Sequence, residues 1–154
     1  MFQVACLSLD IDLITLDFTS RLPFPIRHGF VRQAVQRGVK FEILYSPVLR
    51  DPSIRRNIIG NALILARICR GKNLVLASGA EAPWQVRAPF DVLNLCGLFG
   101  IPSHLRKQCI TTTCISSIMH VGTRKHTFRA AVAIIPKDEE KANSTDLVKD
   151  FILF

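Results

Sequence analysis

The chain alternates short apolar segments with longer amphipathic ones, and this order limits the folds open to it. Apolar runs at residues 11–18, 39–45 and 73–78 have the length and the β-branched content of strands. Each run is followed by a loop and then by a segment with helical spacing that ends at a glycine. Strands that alternate with helices in this way run parallel and are joined by right-handed crossovers. The sequence therefore predicts an α/β fold with parallel strands.

Two of the predicted helices have clear starting signals. Asp51 supplies an N-cap and Pro52 the first helical residue, which predicts a helix over residues 52–69. Pro89 and Asp91 predict another helix that begins at residue 89 and ends near residue 99. Both helices follow predicted strands, so we expect them to cover the sheet.

The loop at residues 81–88 has the best position in the chain for binding a partner. It follows the third predicted strand, and such loops face the ligand crevice of α/β sheets and barrels. Arg87 and Asp91 are four residues apart across the helix start, which permits an ion pair that either orients the guanidinium toward a phosphate or only caps the helix. Trp84 is predicted to cover the end of the barrel.

After Gly100 the pattern changes from strands to helices. A short helix is predicted to start at residues 102–103, and a second at 113–120 is expected to bury Cys114, Ile118 and Met119. Residues 122–125 read as a basic turn.

The C-terminal part divides into a last strand and a tail. Residues 128–135 predict the strand, and the polar, charged residues after it predict a tail. We expect one domain over residues 1–135 and a C-terminal tail over residues 136–154. The last four residues are expected to be an exposed apolar end without partners.

Positive charge is the main compositional signal. The chain has 20 Lys and Arg against 12 Asp and Glu, a net charge of +8 and a pI near 9.7. A polyanion fits such a charge, and a merely basic, solvated surface fits it equally well. Arg55 and Arg56 oppose the dipole of their helix, so helix stability does not account for them. We expect Arg55, Arg87 and Lys125 to gather at the mouth of the strand layer and hold a phosphate chain.

Several kinds of site lack their sequence signals. The four histidines and five cysteines show no spacing typical of a metal site, and there is no glycine-rich phosphate loop or nucleophile elbow. The odd cysteine number and apolar neighbours predict free, buried thiols in an intracellular protein. No uninterrupted apolar run is long enough to predict a membrane helix. We expect neither a catalytic constellation nor a cofactor.

A series of motifs points to one family. They are Phe-Glu-Ile-Leu-Tyr-Ser-Pro at 41–47, Arg-Arg at 55–56, Cys-Arg-Gly-Lys-Asn at 69–73, Ala-Ser-Gly-Ala-Glu at 77–81, Arg-x-Pro-Phe-Asp-Val-x-Asn-Leu at 87–95, Leu-Phe-Gly at 98–100 and Gly-Thr-Arg-Lys at 122–125. In this unbroken order the chain resembles the TIM-barrel-like, thirty-kilodalton protein subunit shared by ribonuclease P and ribonuclease MRP.

The resemblance implies an incomplete TIM-barrel-like fold in a form shortened at its N-terminal side. It also implies a nuclear, mostly nucleolar protein that binds the catalytic RNA and other protein subunits, and meets precursor tRNA indirectly. Such a subunit supports removal of the 5′ leader, while the RNA, not the barrel, is the catalyst.

The resemblance implies RNA contacts for seven basic residues, with Asp91 orienting Arg87. These residues are Arg87, Arg124, Lys125, Arg55, Arg56, Lys72 and Lys107. Two alternatives stay open. One is a metal-dependent phosphoesterase, because the family's barrel is similar to that of the polymerase and histidinol phosphatase (PHP) superfamily. The other is a protein interaction module that uses the helix faces and a sheet edge without contacting RNA.

Overall fold

The structure is a computed structural model that describes residues 1–128, 132–133 and 151–153, with side chains described up to residue 125. The strands in these ranges are β1 (Leu13–Thr15), β2 (Lys40–Leu44), β3 (Leu74–Ala77), β4 (Thr127–Phe128), β5 (Val132–Ala133) and β6 (Phe151–Leu153).

The described part of the chain also contains seven α-helices. They are α1 (Phe2–Leu7), α2 (His28–Gln36), α3 (Ser46–Arg50), α4 (Pro52–Cys69), α5 (Pro89–Leu98), α6 (Ser103–Ile110) and α7 (Thr112–His126), with one 3₁₀ turn at Pro83–Gln85. None of the described helices is long and apolar enough to cross a membrane.

Four strands form one parallel sheet in the order β3-β2-β1-β6, and β4 pairs with β5 in an antiparallel ladder. The predicted α/β fold with parallel strands is confirmed, and the open sheet is consistent with an incomplete barrel. Strands β1, β2 and β3 are linked through α2 and α4, as the alternating pattern predicts.

Helix α4 shows how the sequence sets these boundaries. Asp51 is the N-cap, and its carboxylate accepts a hydrogen bond from the backbone N–H of Ser53 at 2.8 Å. The helix ends where Arg70 adopts a left-handed conformation with φ of 54°. The predicted range of residues 52–69 is therefore confirmed.

The two faces of the sheet differ in chemistry. Phe41 and Ile43 of β2 are fully buried in an apolar core shared with α1, α2 and α4. Lys40 and Glu42 alternate with them and lie on the opposite face. There the Thr15 hydroxyl donates a hydrogen bond to the Glu42 carboxylate. The second face consequently mixes polar side chains with Leu13 and Leu44 along β1 and β2.

The helical region after Gly100 departs from the sequence prediction. Helix α7 runs through residues 122–125, so the predicted basic turn is wrong. Ile118 and Met119 are exposed, whereas Ser117 and Val121 are buried, because α7 turns a different stripe inward.

Two further differences concern chain segments read as irregular. Residues 46–50 form α3, where the sequence predicts only a loop. Residues 151–153 form β6 and pair with β1, so the prediction of an end without partners is wrong. The proposed division between residues 135 and 136 lies outside the described residues.

Candidate nucleic-acid interface

The loop after β3 is held in place by contacts with the segment after β2. The side-chain oxygen of Gln85 accepts hydrogen bonds from the Ser46 hydroxyl at 3.0 Å and from the Glu81 backbone N–H at 2.9 Å. The Tyr45 hydroxyl accepts one from the backbone N–H of Arg87 at 3.1 Å. Both Tyr45 and Ser46 are buried, so they fix the loop at the carboxyl end of the sheet.

Three of the predicted RNA contacts lie at this end. Arg55 and Arg56 are exposed in the first turns of α4, and Arg87 is exposed in the loop. Arg55 Nε donates to the carbonyl of Val48 at 2.9 Å, which holds its stem against α3. These three arginines therefore lie on the loop-bearing side of the sheet.

The predicted ion pair between Arg87 and Asp91 is absent. Within residues 1–125, no ion pair within 4.0 Å involves either side chain. The acid of the loop, Glu81, pairs instead with Arg50. Asp91 lies in the first turn of α5, where its charge suits the helix dipole. The guanidinium of Arg87 is therefore left exposed to solvent.

Aromatic side chains project from this loop and from the first turn of α5. Trp84 and Phe90 are each 79% exposed, so the prediction that Trp84 covers the end of the barrel is wrong. They flank Arg87 in the sequence at distances of three residues. Exposed aromatic rings beside a cation are a combination found in proteins that bind single-stranded nucleic acid.

At the amino end of the sheet, a basic side chain binds carboxylates of the same chain. Asp12, which precedes β1 and is buried, accepts hydrogen bonds from Arg124 Nη2 at 2.5 Å and contacts His120 Nδ1 at 2.6 Å. Arg124 Nη1 also binds Asp10 at 2.6 Å. We call Asp10, Asp12, His120 and Arg124 the Asp12 network. It joins α7 to the start of β1.

The electrostatics of the Asp12 network favour the charged forms of Asp12 and Arg124. Burial alone raises the pKa of Asp12, but hydrogen bonds from Arg124 and His120 outweigh it and leave the pKa below its ordinary value. The hydrogen bond to Asp12 in turn raises the pKa of Arg124. Gly38 packs so closely beside this site that a Cβ there would overlap the His120 ring.

The predicted basic residues thus do not form one cluster. Lys125 follows Arg124 on α7, and Lys72 precedes β3, so both lie toward the amino ends of the strands. Lys107 is exposed on α6. The expectation that Arg55, Arg87 and Lys125 gather at one mouth is wrong, because the turn predicted around Lys125 is part of a helix that packs at the opposite end.

The cysteines behave as buried thiols. All five are free; Cys6, Cys96 and Cys109 are buried, and Cys69 and Cys114 are partly exposed. Burial raises the pKa of Cys6 to about 11 and that of Cys109 to about 12. Among the side chains that the structure describes, no three His, Cys, Asp or Glu lie together as metal ligands would.

Comparison with known sequences identifies the family. The profile described as RNase P subunit p30 matches residues 1–126. The chain belongs to the RNase P subunit p30 family. A member from Mus musculus, ribonuclease P protein subunit p30, is 44% identical over 83% of this chain and 48% of its own length. The ribonuclease P/MRP protein subunit RPP1 of Saccharomyces cerevisiae is 40% identical over 62% of this chain and 33% of its own length.

The chain spans about half or less of the length of these two relatives. A solved structure of archaeal ribonuclease P with mature tRNA contains a chain of the same fold, with a TM-score of 0.68 and 18% identity, covering 90% of this chain and 62% of that one. The resemblance predicted from the motifs is confirmed. These similarities do not favour the phosphoesterase alternative.

Sequence reasoning missed two sets of residues in this p30 chain. The Asp12 network joins residues more than a hundred positions apart, and no local pattern reports such a pair. Lys40 is the first residue of the buried strand β2. A lysine at the start of an apolar run is a local signal that indicates a buried charge.

Proposed function

We propose that this chain is a non-catalytic, RNA-binding subunit of ribonuclease P and of ribonuclease MRP, and that it supports removal of the 5′ leader from precursor tRNA. The observation that carries the proposal is Arg87, an exposed cation on a loop anchored at the carboxyl end of the sheet. The names of the p30 relatives supply the particle to which it would belong.

The charge arrangement around Arg87 supports a phosphate partner. Arg55 and Arg56 lie at the same end of the sheet, and neither forms an ion pair with an acid among the described residues. Cations without acidic partners attract a polyanion at long range and neutralise its phosphates on contact. The net charge of +8 acts in the same direction.

The partners we propose are the catalytic RNA and other protein subunits of the particle, with precursor tRNA met indirectly. Exposed Ile115, Ile118 and Met119 lie on one side of α7 and support contact with a protein partner. Their spacing of three and four residues makes one apolar stripe. Placement in the nucleus, and more narrowly in the nucleolus, follows from membership of such particles and is part of the proposal.

The remaining contacts belong to the same proposal. Lys72, Lys107 and Lys125 are exposed and contact RNA phosphates. Arg124 contributes less to the proposed RNA contact, because its guanidinium already binds Asp10 and Asp12. Asp91 would orient Arg87 only in the RNA-bound form.

Salt dependence of RNA binding tests the proposal. The full chain is titrated with ribonuclease P RNA over a range of salt concentrations, and the slope of log affinity against log salt counts the phosphate contacts. Arg87→Gln is expected to reduce the slope by about one unit. Arg67→Gln is the matched control, since Arg67 is also exposed but lies in the last turn of α4.

Arg67→Gln is expected to leave the slope unchanged. Affinity that does not respond to salt, or equal effects of the two variants, would contradict the proposed RNA contact.

A further inference from the structure

A polar cleft at the amino end of the sheet contains a buried lysine without an acidic partner. The cleft measures about 560 Å³ and lies between β2, α6 and the start of α7. Its lining includes Lys40, Lys72, Asn73, His104 and Thr113, and no acidic side chain belongs to the lining residues described. The site is separate from the Arg87 loop.

Lys40 is the central group of this cleft. It is only 9% exposed, and the single hydrogen bond of its side chain among the described residues runs from Nζ to the side-chain oxygen of Asn73 at 3.1 Å. An ammonium has three donors, so two are left for a ligand. Burial also lowers the pKa of Lys40.

The start of α7 adds a second source of positive potential. Thr112 and Thr113 are its first residues and line the cleft, and its first turn contains no acidic residue. The first backbone N–H groups of a helix have no partner within the helix and attract anions. A buried ammonium and a helix N-terminus thus meet in one cleft, with Lys72 and His104 beside them.

Asn73 fixes the ammonium through its side-chain amide and fixes the neighbouring strand through its backbone. Its φ of 57° is left-handed, a conformation that asparagine adopts more readily than most residues. Its carbonyl accepts a hydrogen bond from the backbone N–H of Phe41 at 3.0 Å, which fixes the start of β3 beside β2. The position of the Lys40 ammonium is therefore set by the sheet.

We propose that this cleft binds a phosphate group, and that in the assembled particle the group is a phosphodiester of the RNA backbone. The assignment to RNA rests on the proposed function, whereas the phosphate site rests on the cleft alone. A phosphate oxygen would accept hydrogen bonds from Lys40 and from the first N–H groups of α7, and would supply the missing negative charge.

The first experiment titrates the isotopically labelled full chain with inorganic phosphate and follows backbone amide resonances. The amides of Thr112, Thr113 and Asn73 are expected to shift together and to saturate. Lys40→Met, which keeps the length of the side chain without the charge, is expected to weaken phosphate binding about tenfold or more. Arg67→Gln on α4 lies outside both the cleft lining and the proposed RNA contacts, and it is expected to change nothing.

A second variant separates ligand binding from folding. Asn73→Asp retains a residue that tolerates the left-handed backbone and places a carboxylate beside Lys40, so it should compete with phosphate and weaken binding. Lys40→Met should unfold at the same temperature as the parent chain or higher, because it removes a buried charge. Unchanged phosphate affinity in both variants would overturn the site.

The RNA assignment has its own test. Lys40→Met is expected to reduce the salt slope of RNA binding by about one unit, as a lost phosphate contact would. If phosphate binds but the RNA slope is unaltered, the assignment to RNA is overturned and a free phosphate compound is the ligand. Failure of Arg87→Gln to alter RNA binding concerns the other end of the sheet and leaves the phosphate titration intact.

Discussion

The two ends of the parallel sheet use basic residues in opposite ways. At the amino end, Arg124 lies between Asp10 and Asp12, and its charge is compensated inside the molecule. At the carboxyl end, Arg87 sits on an anchored loop with no acid bound to its side chain among the described residues. Both arginines contribute equally to the net charge, yet only Arg87 offers that charge to a partner.

The difference shows that charge counting finds a basic chain without finding its binding surface. The two arginines differ in whether a carboxylate neutralises the guanidinium, and the carboxylates that do so are remote in sequence. Lys40 is the intermediate case, since it is bonded within the molecule as Arg124 is, by Asn73, but lacks an acidic partner as Arg87 does. Buried charge without a partner is costly, and a ligand is one way to remove that cost.

The largest expected effect comes from removing the buried carboxylate of the Asp12 network. Asp12→Ala leaves Arg124 and His120 without their shared partner and should lower the free energy of unfolding by about 3 kcal/mol. Urea denaturation of the full chain measures it. Asp10→Ala is the matched control, because the Asp10 side chain is 75% exposed and binds the same guanidinium.

Asp10→Ala should cost less than about 1 kcal/mol, as exposed pairs do. Equal losses for the two variants would mean that burial does not distinguish these carboxylates, and the contrast between the two ends would weaken.

The second expected effect is the pH dependence of stability. The folded-state pKa of Asp12 lies below its value in the unfolded chain, because hydrogen bonds from Arg124 and His120 outweigh desolvation. The stabilisation is therefore fully present above the ordinary aspartate pKa of about 4 and is lost as the pH falls through the folded-state value.

The measurement compares unfolding free energies of the parent chain and Asp12→Asn between about pH 5 and pH 2. The variant should be less stable at neutral pH and should lose less stability on acidification. Parallel curves for the two proteins would assign the acid sensitivity to other carboxylates.

How far the sequence predicts this molecule depends on the distance between the groups involved. The start of α4 is encoded by the adjacent Asp51 and Pro52, and its predicted range is confirmed. The loop with Arg87 is likewise placed by the strand before it. The pair of Asp12 and Arg124 depends on how α7 returns to the sheet, which no local spacing reports.

The exposure of Trp84 could not be predicted for a related reason. Whether an aromatic ring covers a sheet or projects from it depends on the turn that carries it, and here Gln85 and Tyr45 hold a 3₁₀ turn that points the ring outward. The apolar character of the residue alone favours the buried interpretation, which is wrong.

Charge-conserving substitutions at the two arginines should separate their roles. Arg124→Lys keeps the charge but loses the planar fork that binds two carboxylates, so the free energy of unfolding should fall by about 1 to 2 kcal/mol. Arg87→Lys should leave stability unchanged and retain the salt slope of RNA binding, since a phosphate accepts an ammonium as well. Denaturation and salt titrations on both variants provide the comparison.

A loss of stability in Arg87→Lys that matches the loss in Arg124→Lys would show that the loop arginine is also structural. The carboxyl end would then resemble the amino end, and the proposed RNA contact would lose its main support.

The smallest expected effect on stability is that of Trp84. Because 79% of this residue is exposed, Trp84→Ala should change the free energy of unfolding by less than about 0.5 kcal/mol.

Trp84 is the single tryptophan of the chain, so its fluorescence reports on this loop alone. A neutral quencher should reach it almost as readily as it reaches free tryptophan, and RNA bound at the Arg87 loop should protect it. If RNA still protects the tryptophan in Arg87→Gln, the RNA contacts the aromatic rings independently of the arginine. A tryptophan already shielded in the free chain would mean that the ring packs on the protein. The two ends of the sheet would then be more alike than their geometry indicates.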